Sequence, residues 1–268
     1  MNIAPPTHDS ACVIPEPICA VLLLSIVITG CVPNNEHTVH RVGALSVDTI
    51  RLEYANAHLV RQGDAAFLVD SGSTADAPRL LAEIRAAGVE PATLRAVIVT
   101  HGHADHAGGA AALGSLGVPI VAGAGDRTAL TRGWNEPLCP TSDAARERLD
   151  EDQAAEFDPV EVDHWVEDTA LDLAALTGIE GQVVPLPGHT PGSLIVVAGP
   201  LALVGDLVRG EILSTGADVH FYMCDLEDNR ADLEALLETH APDAGRFFVG
   251  HFGPITRSHV EDLLREGW

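Results

Sequence analysis

The sequence contains no lysine, so its 15 basic residues are all arginines, and 39 acidic residues outnumber them. The formal net charge of −24 repels phosphate backbones, and we therefore expect no nucleic-acid partner. The five cysteines include no CxxC pair, which excludes a zinc ribbon. Cys139 and Cys224 lie far apart in the body of the chain, and the sequence leaves open whether they form a disulfide or remain two buried thiols.

The chain also has no low-complexity tract and no obvious short repeat. Its 268 residues, 46% of them apolar, are enough to bury a substantial core. We therefore expect one large globular domain, which we place at residues 44–268.

The apolar run at residues 18–28 is broken only by Ser25 and is too short to span a bilayer, but it has the length of a signal-peptide core. The segment Ile28-Thr29-Gly30-Cys31 resembles the lipobox of bacterial lipoproteins, in which the cysteine becomes the acylated first residue. We expect a signal peptide at 1–30 and a tether at 31–43. The protein would then be exported, either held at the membrane by a lipid on Cys31 or free in the periplasm or outside the cell.

Residues 1–17 fit a signal peptide badly, because they contain four prolines and neither Lys nor Arg. The alternative is that the apolar run forms a buried helix or strand of the main domain.

In the remainder of the chain short β-runs alternate with helices, which is typical of a layered α/β domain. Asp76 as a cap, Pro78 in the first turn and Gly88 as a stop predict one helix, and others are expected at 228–240 and after Ser258. The predicted strands are 44–52, 58–60, 65–69, 96–100, 119–122, 182–186, 194–198, 201–204 and 246–249.

The most informative segment is Thr100-His101-Gly102-His103-Ala104-Asp105-His106, directly after the β-run Val97-Ile98-Val99. In extended chain, residues two apart point the same way, so His101 and His103 can present their imidazoles to one metal ion. If a helix begins at Asp105, that carboxylate and His106 project toward a neighbouring point. The spacing therefore predicts a metal site with room for a second ion.

Three further ligand candidates also follow apolar β-runs. They are His189 in GHTPGS, Asp206 in VGD and His251 in VGH. Strand ends aim side chains at a shared point while the strands stay rigid.

In this order the motifs HxHxDH, GHTPGS, GD and GH resemble the metallo-β-lactamase superfamily, from about Leu45 to Trp268. The resemblance implies a four-layer αββα sandwich with two mixed sheets face to face, and two metal ions per chain, zinc first, with iron or manganese as alternatives. It implies one ion on His101, His103 and His189, a second on Asp105, His106 and His251, and Asp206 as the bridge between them.

The resemblance also implies that Asp70, in Phe67-Leu68-Val69-Asp70, hydrogen-bonds the ligand loop without touching metal. His220 and Tyr222, two apart in the chain, are candidates to face the pocket and stabilise an oxyanion. The remaining histidines are interpreted as solvated or packing residues: His8, His37, His40, His58, His164, His240 and His259.

Residues 126–178 are rich in Asp, Glu, Pro and Ala, and we interpret them as a helical insertion over the active site. Trp134, Phe157 and Trp165 are the aromatic residues expected to line a pocket there.

The reaction that the resemblance implies is hydrolysis of a small ester, thioester or lactone by a metal-bridging hydroxide that Asp105 orients. A glutathione thioester is disfavoured, because only 17 residues follow His251 and the helical glutathione-binding region of related thioesterases has no counterpart. Family members that open β-lactams generally lack the bridging carboxylate that Asp206 supplies here. The alternatives are a small-molecule phosphodiesterase, a β-lactamase, a mono-iron sulfur dioxygenase, and a non-catalytic, surface-anchored metal-binding protein.

Overall fold

The computed structural model describes residues 37–267, so the predicted signal peptide, the lipobox and Cys31 lie outside the described residues. The first of two large β-sheets has seven strands in chain order; the pairs from β1 to β4 are antiparallel and those from β4 to β7 are parallel. Its strands are β1 (His37–Val42), β2 (Leu45–Arg51), β3 (Asn56–Gln62), β4 (Ala65–Val69), β5 (Val97–Val99), β6 (Ile120–Gly123) and β7 (His164–Val166).

The second sheet has six strands in the order β15-β14-β11-β10-β9-β8, of which only the pair β11 and β14 is parallel. A separate two-stranded hairpin joins β12 to β13. These strands are β8 (Leu171–Asp172), β9 (Gln182–Pro185), β10 (Leu194–Ala198), β11 (Leu201–Gly205), β12 (Arg209–Gly210), β13 (Ala217–Asp218), β14 (Arg246–Val249) and β15 (Ile255–Thr256).

The helices of residues 37–267 are short, and the longest of them has 11 residues. Helix α7 continues as a π-helical turn over Leu236–His240. Within the described part of the chain no helix is long and apolar enough to cross a bilayer. The α-helices are α1 (Ala77–Ala86), α2 (Ala104–Ala107), α3 (Ala110–Gly114), α4 (Arg127–Arg132), α5 (Asp143–Gln153), α6 (Leu173–Thr177), α7 (Leu226–Ala235) and α8 (Arg257–Glu266).

Three apolar cores separate four layers. The central core lies between the two sheets and includes Ile98 of β5 and Phe248 of β14. Their sequence neighbours Val97 and Phe247 face the two outer cores, because successive side chains of a strand point to opposite faces. Helix α1 covers the first sheet through Leu80, and α7 and α8 cover the second. The molecule is the four-layer αββα sandwich that the resemblance predicts, and this fold class is confirmed.

Strand β1 corrects the predicted start of the domain. Residues 37–42, predicted as part of the tether, pair antiparallel with β2 from His37 opposite Ile50 to Val42 opposite Leu45. Their side chains are half-buried or exposed, as in an edge strand, and such a polar sequence is hard to distinguish from a linker by composition. The domain therefore extends at least to His37.

The segment 126–178 is only partly the predicted helical insertion. It contains α4, α5 and α6, but β7 pairs with β6 and β8 pairs with β9, so each large sheet gains an edge strand from it. Strands of two and three residues are too short to show the period-two pattern by which a strand is identified in sequence.

Candidate metal centre

Residues 100–107 leave β5 as a short turn that enters α2. His101 and His103 lie on the turn, which bends at His101 and is extended at His103, and Asp105 and His106 lie in the first turn of the helix. Strand β5 is a buried run of β-branched residues, and it fixes this segment where the strand ends. One stretch of chain thus supplies four of the seven predicted ligands.

The other three predicted ligands follow strands of the second sheet. His189 comes after β9, Asp206 directly after β11, and His251 after β14. Gly250 makes the last approach possible, because a Cβ atom there would collide with the Asp206 carboxylate and the His106 ring. The two sheets therefore meet at one edge with their ligand-bearing ends facing each other.

The side chains converge on one carboxylate oxygen, Asp206 Oδ2. The Nε2 atoms of His106 and His251 each lie 3.2 Å from it, and those of His101 and His189 lie 3.6 and 3.8 Å from it. All five residues are buried. Asp206 therefore lies between the two predicted sets of ligands.

The two remaining ligands complete these sets. His103 Nδ1 lies 3.2 Å from His189 Nε2, and Asp105 Oδ2 lies 3.4 Å from His251 Nε2. In each predicted set the donor atoms lie within 4.8 Å of one another. The structure thus brings all seven predicted ligands together.

These separations fit metal coordination. Two donors that are each about 2.1 Å from one ion, at right or tetrahedral angles, lie roughly 3.0 to 3.4 Å apart. His101 Nε2 and Asp206 Oδ1 are buried and make no hydrogen bond to any described residue. Buried polar atoms almost always have a partner, and a divalent cation supplies one for imidazole and carboxylate donors. The residues present therefore fit a pair of such cations.

Three imidazoles of the cluster are held neutral. Burial lowers the pKa of His103 to about 4. Burial, reinforced by the neighbouring imidazoles, also holds the pKa values of His101 and His189 well below 6.5. A neutral imidazole keeps the lone pair that a metal ion requires.

The other two imidazoles behave in the opposite way. Burial opposes a charge on His251, but Asp206 and Asp105 outweigh it and raise the pKa of His251 to about 10. The same carboxylates, with Asp70, raise the pKa of His106 well above its ordinary value. Without metal these rings hold protons, so cation binding must release them.

Asp70 ties the ligand loop to the first sheet. Its carboxylate accepts hydrogen bonds from the amide and the hydroxyl of Thr100, at 2.7 and 2.8 Å, and from His106 Nδ1 at 2.9 Å. Its φ of 61° lies in the left-handed region, which Asp tolerates better than most residues. Asp70 touches the back of the His106 ring and none of the converging donor atoms, which is the arrangement that the resemblance predicts. His251, in the second predicted set of ligands, is also oriented by a hydrogen bond: its Nδ1 atom donates to the Tyr54 carbonyl oxygen at 2.8 Å.

The buried carboxylate of Asp126, absent from the sequence prediction, joins two ligand loops. It accepts hydrogen bonds from the Gly102 and Gly192 amides and from the Thr190 hydroxyl, all at 2.7 or 2.8 Å. Burial raises its pKa, although these donors act against the shift. The loops of His101–His103 and of His189 are thus fixed to each other. Like the ligands, Asp126 follows a strand, β6, and that position is a signal that could have identified it.

A cavity of about 480 Å³ opens onto the cluster. Its aromatic lining consists of Tyr54, Phe221, Tyr222 and Phe252. The prediction that Trp134, Phe157 and Trp165 line a pocket is wrong. Trp134 is 45% exposed, Phe157 belongs to the outer core of the first sheet, and Trp165 packs against that core, because β7 draws this part of the insertion into the sheet.

The two residues predicted to stabilise an oxyanion lie in different surroundings. Tyr222 lines the cavity, but its hydroxyl donates to Asp152 at 2.5 Å and to the Ala145 carbonyl oxygen at 3.2 Å, and burial with this carboxylate raises its pKa. His220 is buried in the ligand cluster itself, with Nε2 3.0 Å from Asp206 Oδ2.

A disulfide joins Cys139 to Cys224, with the Cα atoms 4.8 Å apart, which decides between the two possibilities that the sequence left open. It connects the insertion to the segment that carries His220 and Tyr222. Next to it, the Met223 amide donates to the Cys139 carbonyl oxygen at 2.8 Å. Both cysteines line a smaller neighbouring cavity of about 210 Å³, which has His103 and Tyr222 in common with the first cavity.

An αββα sandwich with a cluster of buried imidazoles and carboxylates where its two sheets meet defines a class of metal-binding proteins. Comparison with known families agrees, since the model of the metallo-beta-lactamase superfamily matches residues 50–251. The chain belongs to the metallo-β-lactamase superfamily.

Three individual relatives share between 22% and 35% of their aligned residues with this chain. The chain is 35% identical over 150 residues to a hydroxyacylglutathione hydrolase of Anaeromyxobacter dehalogenans, a match that covers 56% of this chain and 44% of that protein. It therefore spans less than half the length of this relative. A metallo-beta-lactamase family protein from Thermus thermophilus is similar in structure, with a TM-score of 0.59 at 22% identity over 84% of this chain and 79% of that one. The metallo-beta-lactamase MIM-1 from Novosphingobium pentaromativorans has a TM-score of 0.55 at 25% identity, over 80% and 75%.

Proposed function

We propose that this chain is a metal-dependent hydrolase of small esters, thioesters or lactones. It would hold two divalent cations, with zinc as the preferred metal. The observation that carries the proposal is the convergence of six buried or half-buried donor residues around Asp206. In this set of seven, His101, His189 and Asp206 each have a buried polar atom without a hydrogen-bond partner among the described residues. The cations would be held by His101, His103 and His189 on one side and by Asp105, His106 and His251 on the other.

When bound, such a pair of cations lowers the pKa of a shared water and polarises the substrate's reacting oxygen. The protein supplies positioning and proton handling. Asp105 is the carboxylate that reaches the cavity, since its side chain is 30% exposed and that of Asp206 is 1% exposed. In the metal-free protein the neighbouring imidazoles hold the pKa of Asp105 below its ordinary value. As a carboxylate, Asp105 can accept a hydrogen bond from the attacking water and orient it.

The charge of the cavity walls also indicates which class of substrate the protein prefers. Its walls carry four acidic residues besides Asp105, and its one arginine, Arg148, donates to Asp152 at 3.0 Å. A substrate whose carboxylates lie against these walls, away from the cations, meets repulsion, which disfavours anionic thioesters of the glutathione type. We therefore propose an uncharged or cationic acyl substrate with an apolar part against the aromatic wall. The acidic residues are Glu53, Glu151, Asp152 and Glu156.

Elemental analysis of untagged protein tests the metal centre, and two zinc ions per chain are expected. A matched pair of probes, the acetyl and hemisuccinyl esters of one chromogenic alcohol, tests the charge preference, with the acetyl ester favoured at least about 10-fold in kcat/KM. Faster hydrolysis of the hemisuccinyl ester would contradict the preference.

The other chemistries are outcomes of the same experiment. Turnover of only a phosphodiester or a cephalosporin moves the protein to those activities, and one iron with oxygen consumption to a dioxygenase. Bound metal with no turnover on a broad panel supports a surface-anchored metal-binding protein.

Export is a separate proposal, with residues 1–30 as the signal peptide and a lipid on Cys31. The disulfide supports it, because disulfides persist in oxidising compartments. Loss of labelled palmitate from the Cys31→Ser protein is expected, and label that persists would contradict the lipid.

A further inference from the structure

His220 lies inside the ligand cluster although no sequence motif places it there. It is 3% exposed, and its Nε2 atom is buried without a hydrogen-bond partner among the described residues. Its ring lies 4.8 Å from that of His189 and 5.0 Å from that of His251, measured between centroids, so it touches one imidazole of each predicted set.

The contact with Asp206 has the geometry of two ligands on one ion. His220 Nε2 and Asp206 Oδ2 lie 3.0 Å apart, yet they form no hydrogen bond. A protonated Nε2 would be expected to point at this carboxylate, because a buried donor beside a carboxylate gains a charge-assisted bond. Neighbouring donors on one cation lie roughly 3.0 to 3.4 Å apart. The donor atoms of His189, Asp206 and His220 also lie within 4.8 Å of one another.

We propose that His220 is an eighth donor of the metal centre and binds, through Nε2, the ion held by His101, His103 and His189. This inference rests on the proposed metal centre. The ion would have four imidazoles and the Asp206 carboxylate as protein donors, one more than the four ligands of a structural zinc site.

The other ring nitrogen suits this role. His220 Nδ1 lies 3.2 Å from the carbonyl oxygen of Tyr222. A proton on Nδ1 that is donated to this oxygen leaves the lone pair of Nε2 free, as second hydrogen bonds commonly do for histidine ligands. In the opposite tautomer the Tyr222 amide, also 3.2 Å from Nδ1, donates to that nitrogen, and Nε2 carries the proton. The experiment must therefore separate a ligand from a donor.

The test is a cobalt(II) titration of the chelator-treated protein, followed by visible absorption and by competition with a chromogenic chelator. His220→Ala and His220→Gln are compared with wild type and with His164→Ala, a control at an exposed histidine far from the cluster in sequence. Glutamine can place an N–H donor near the former Nε2 but is a poor metal ligand.

Direct ligation predicts that both His220 variants bind one cobalt at least about 100-fold more weakly and show the more intense absorption of a lower coordination number, with His164→Ala unchanged. Unchanged affinity and spectrum in both variants would overturn the inference, and so would a loss in the alanine variant that glutamine restores. If wild type binds no cobalt, the metal centre itself fails. Should the variants not fold, X-ray absorption of singly loaded wild type counts the imidazoles on cobalt, four for the inference and three against it.

Discussion

At the scale of single residues, Asp206 is the carboxylate at the centre of the cluster. Its Oδ2 atom has five imidazole Nε2 atoms between 3.0 and 3.8 Å away. The carboxylate is buried, and nearby imidazoles hold its pKa well below the ordinary value despite the cost of burial. A permanent negative charge at this point offsets the repulsion between two cations.

Replacing this charge tests the two-metal proposal. Asp206→Asn keeps the shape of the side chain but removes its charge, and we expect at most one tightly bound ion and a fall in kcat/KM of at least about 1000-fold. Metal content by elemental analysis and turnover of the acetyl ester are the measurements.

Asp163→Asn is the control, because Asp163 accepts a hydrogen bond from the Ile120 amide beside β7 and is not one of the predicted metal ligands. Two retained ions together with an unchanged rate in the Asp206 variant would contradict the proposal.

At the scale of elements, the cavity depends on two segments without regular structure between α4 and α5 and between β13 and α7. The Cys139–Cys224 bridge joins them across 85 residues of chain. Thr141 adds hydrogen bonds to the carbonyl oxygens of His220 and Phe221, at 2.8 and 3.1 Å. The bridge therefore supports the wall that carries His220 and Tyr222.

Removing the bridge should affect stability and substrate binding more than the metal centre. The double variant Cys139→Ser/Cys224→Ser is expected to lose about 2–4 kcal/mol of unfolding free energy, because its unfolded chain is less constrained. We expect a raised KM for the acetyl ester while both ions stay bound, with weaker binding of the ion next to His220, since seven of the eight proposed donors lie on other segments.

Urea unfolding, steady-state kinetics and elemental analysis measure these three quantities. Wild type treated with a reductant should show the same changes as the double variant. If the double variant loses metal to the same extent as its KM rises, the bridge holds the metal ligands themselves.

At the scale of the whole molecule, polar side chains of the first sheet fasten the second sheet at the metal-site edge. His58 Nε2 donates to the Val249 carbonyl oxygen at 3.2 Å, and Asn56 Nδ2 donates to the same oxygen at 2.9 Å. The Thr49 hydroxyl donates to His58 Nδ1 at 3.1 Å. Both His58 nitrogens are used by the neutral ring, and burial lowers its pKa to about 4.

This histidine predicts a pH dependence of stability. Because the pKa of His58 is lower in the folded state than its unfolded value of 6.5, the unfolded chain takes up the proton first. The stabilising contribution is therefore present above pH 6.5 and is lost as the pH falls toward 4, which amounts to about 2 kcal/mol at pH 5. His58→Gln keeps a donor for Val249 but cannot titrate.

Urea unfolding of metal-free wild type and His58→Gln at pH 7.5 and pH 5 gives the difference between the two proteins, in which all other titrations cancel. Wild type should lose about 2 kcal/mol more than the variant, whereas His164→Gln, at an exposed position, should follow wild type. Equal losses in wild type and His58→Gln would show that this ring does not titrate as expected.

Much of the molecule could be predicted from sequence because the relevant signals are local. The spacing of His101, His103, Asp105 and His106 after a buried β-run is read directly from consecutive residues, and His189, Asp206 and His251 repeat the same strand-end position. The core strands are confirmed for the same reason, since alternation and apolar runs are properties of neighbouring residues. Strand β1 and the short strands β7 and β8 escaped because an edge strand leaves little pattern.

The amino-acid sequence by itself determined the alternation of strands and helices and the strand-end ligand candidates, since backbone periodicity and motif spacing act over a few residues. The family resemblance that these motifs carry predicted the four layers. Only the tertiary structure decided that His220 joins the cluster, that Asp126 ties two ligand loops together, that Cys139 pairs with Cys224, and that Tyr54 and Phe252 line the cavity. These residues are far apart in the chain, and their proximity depends on how the irregular segments pack against the sheets. No local pattern encodes such contacts, because they form only when long stretches of chain close on one another.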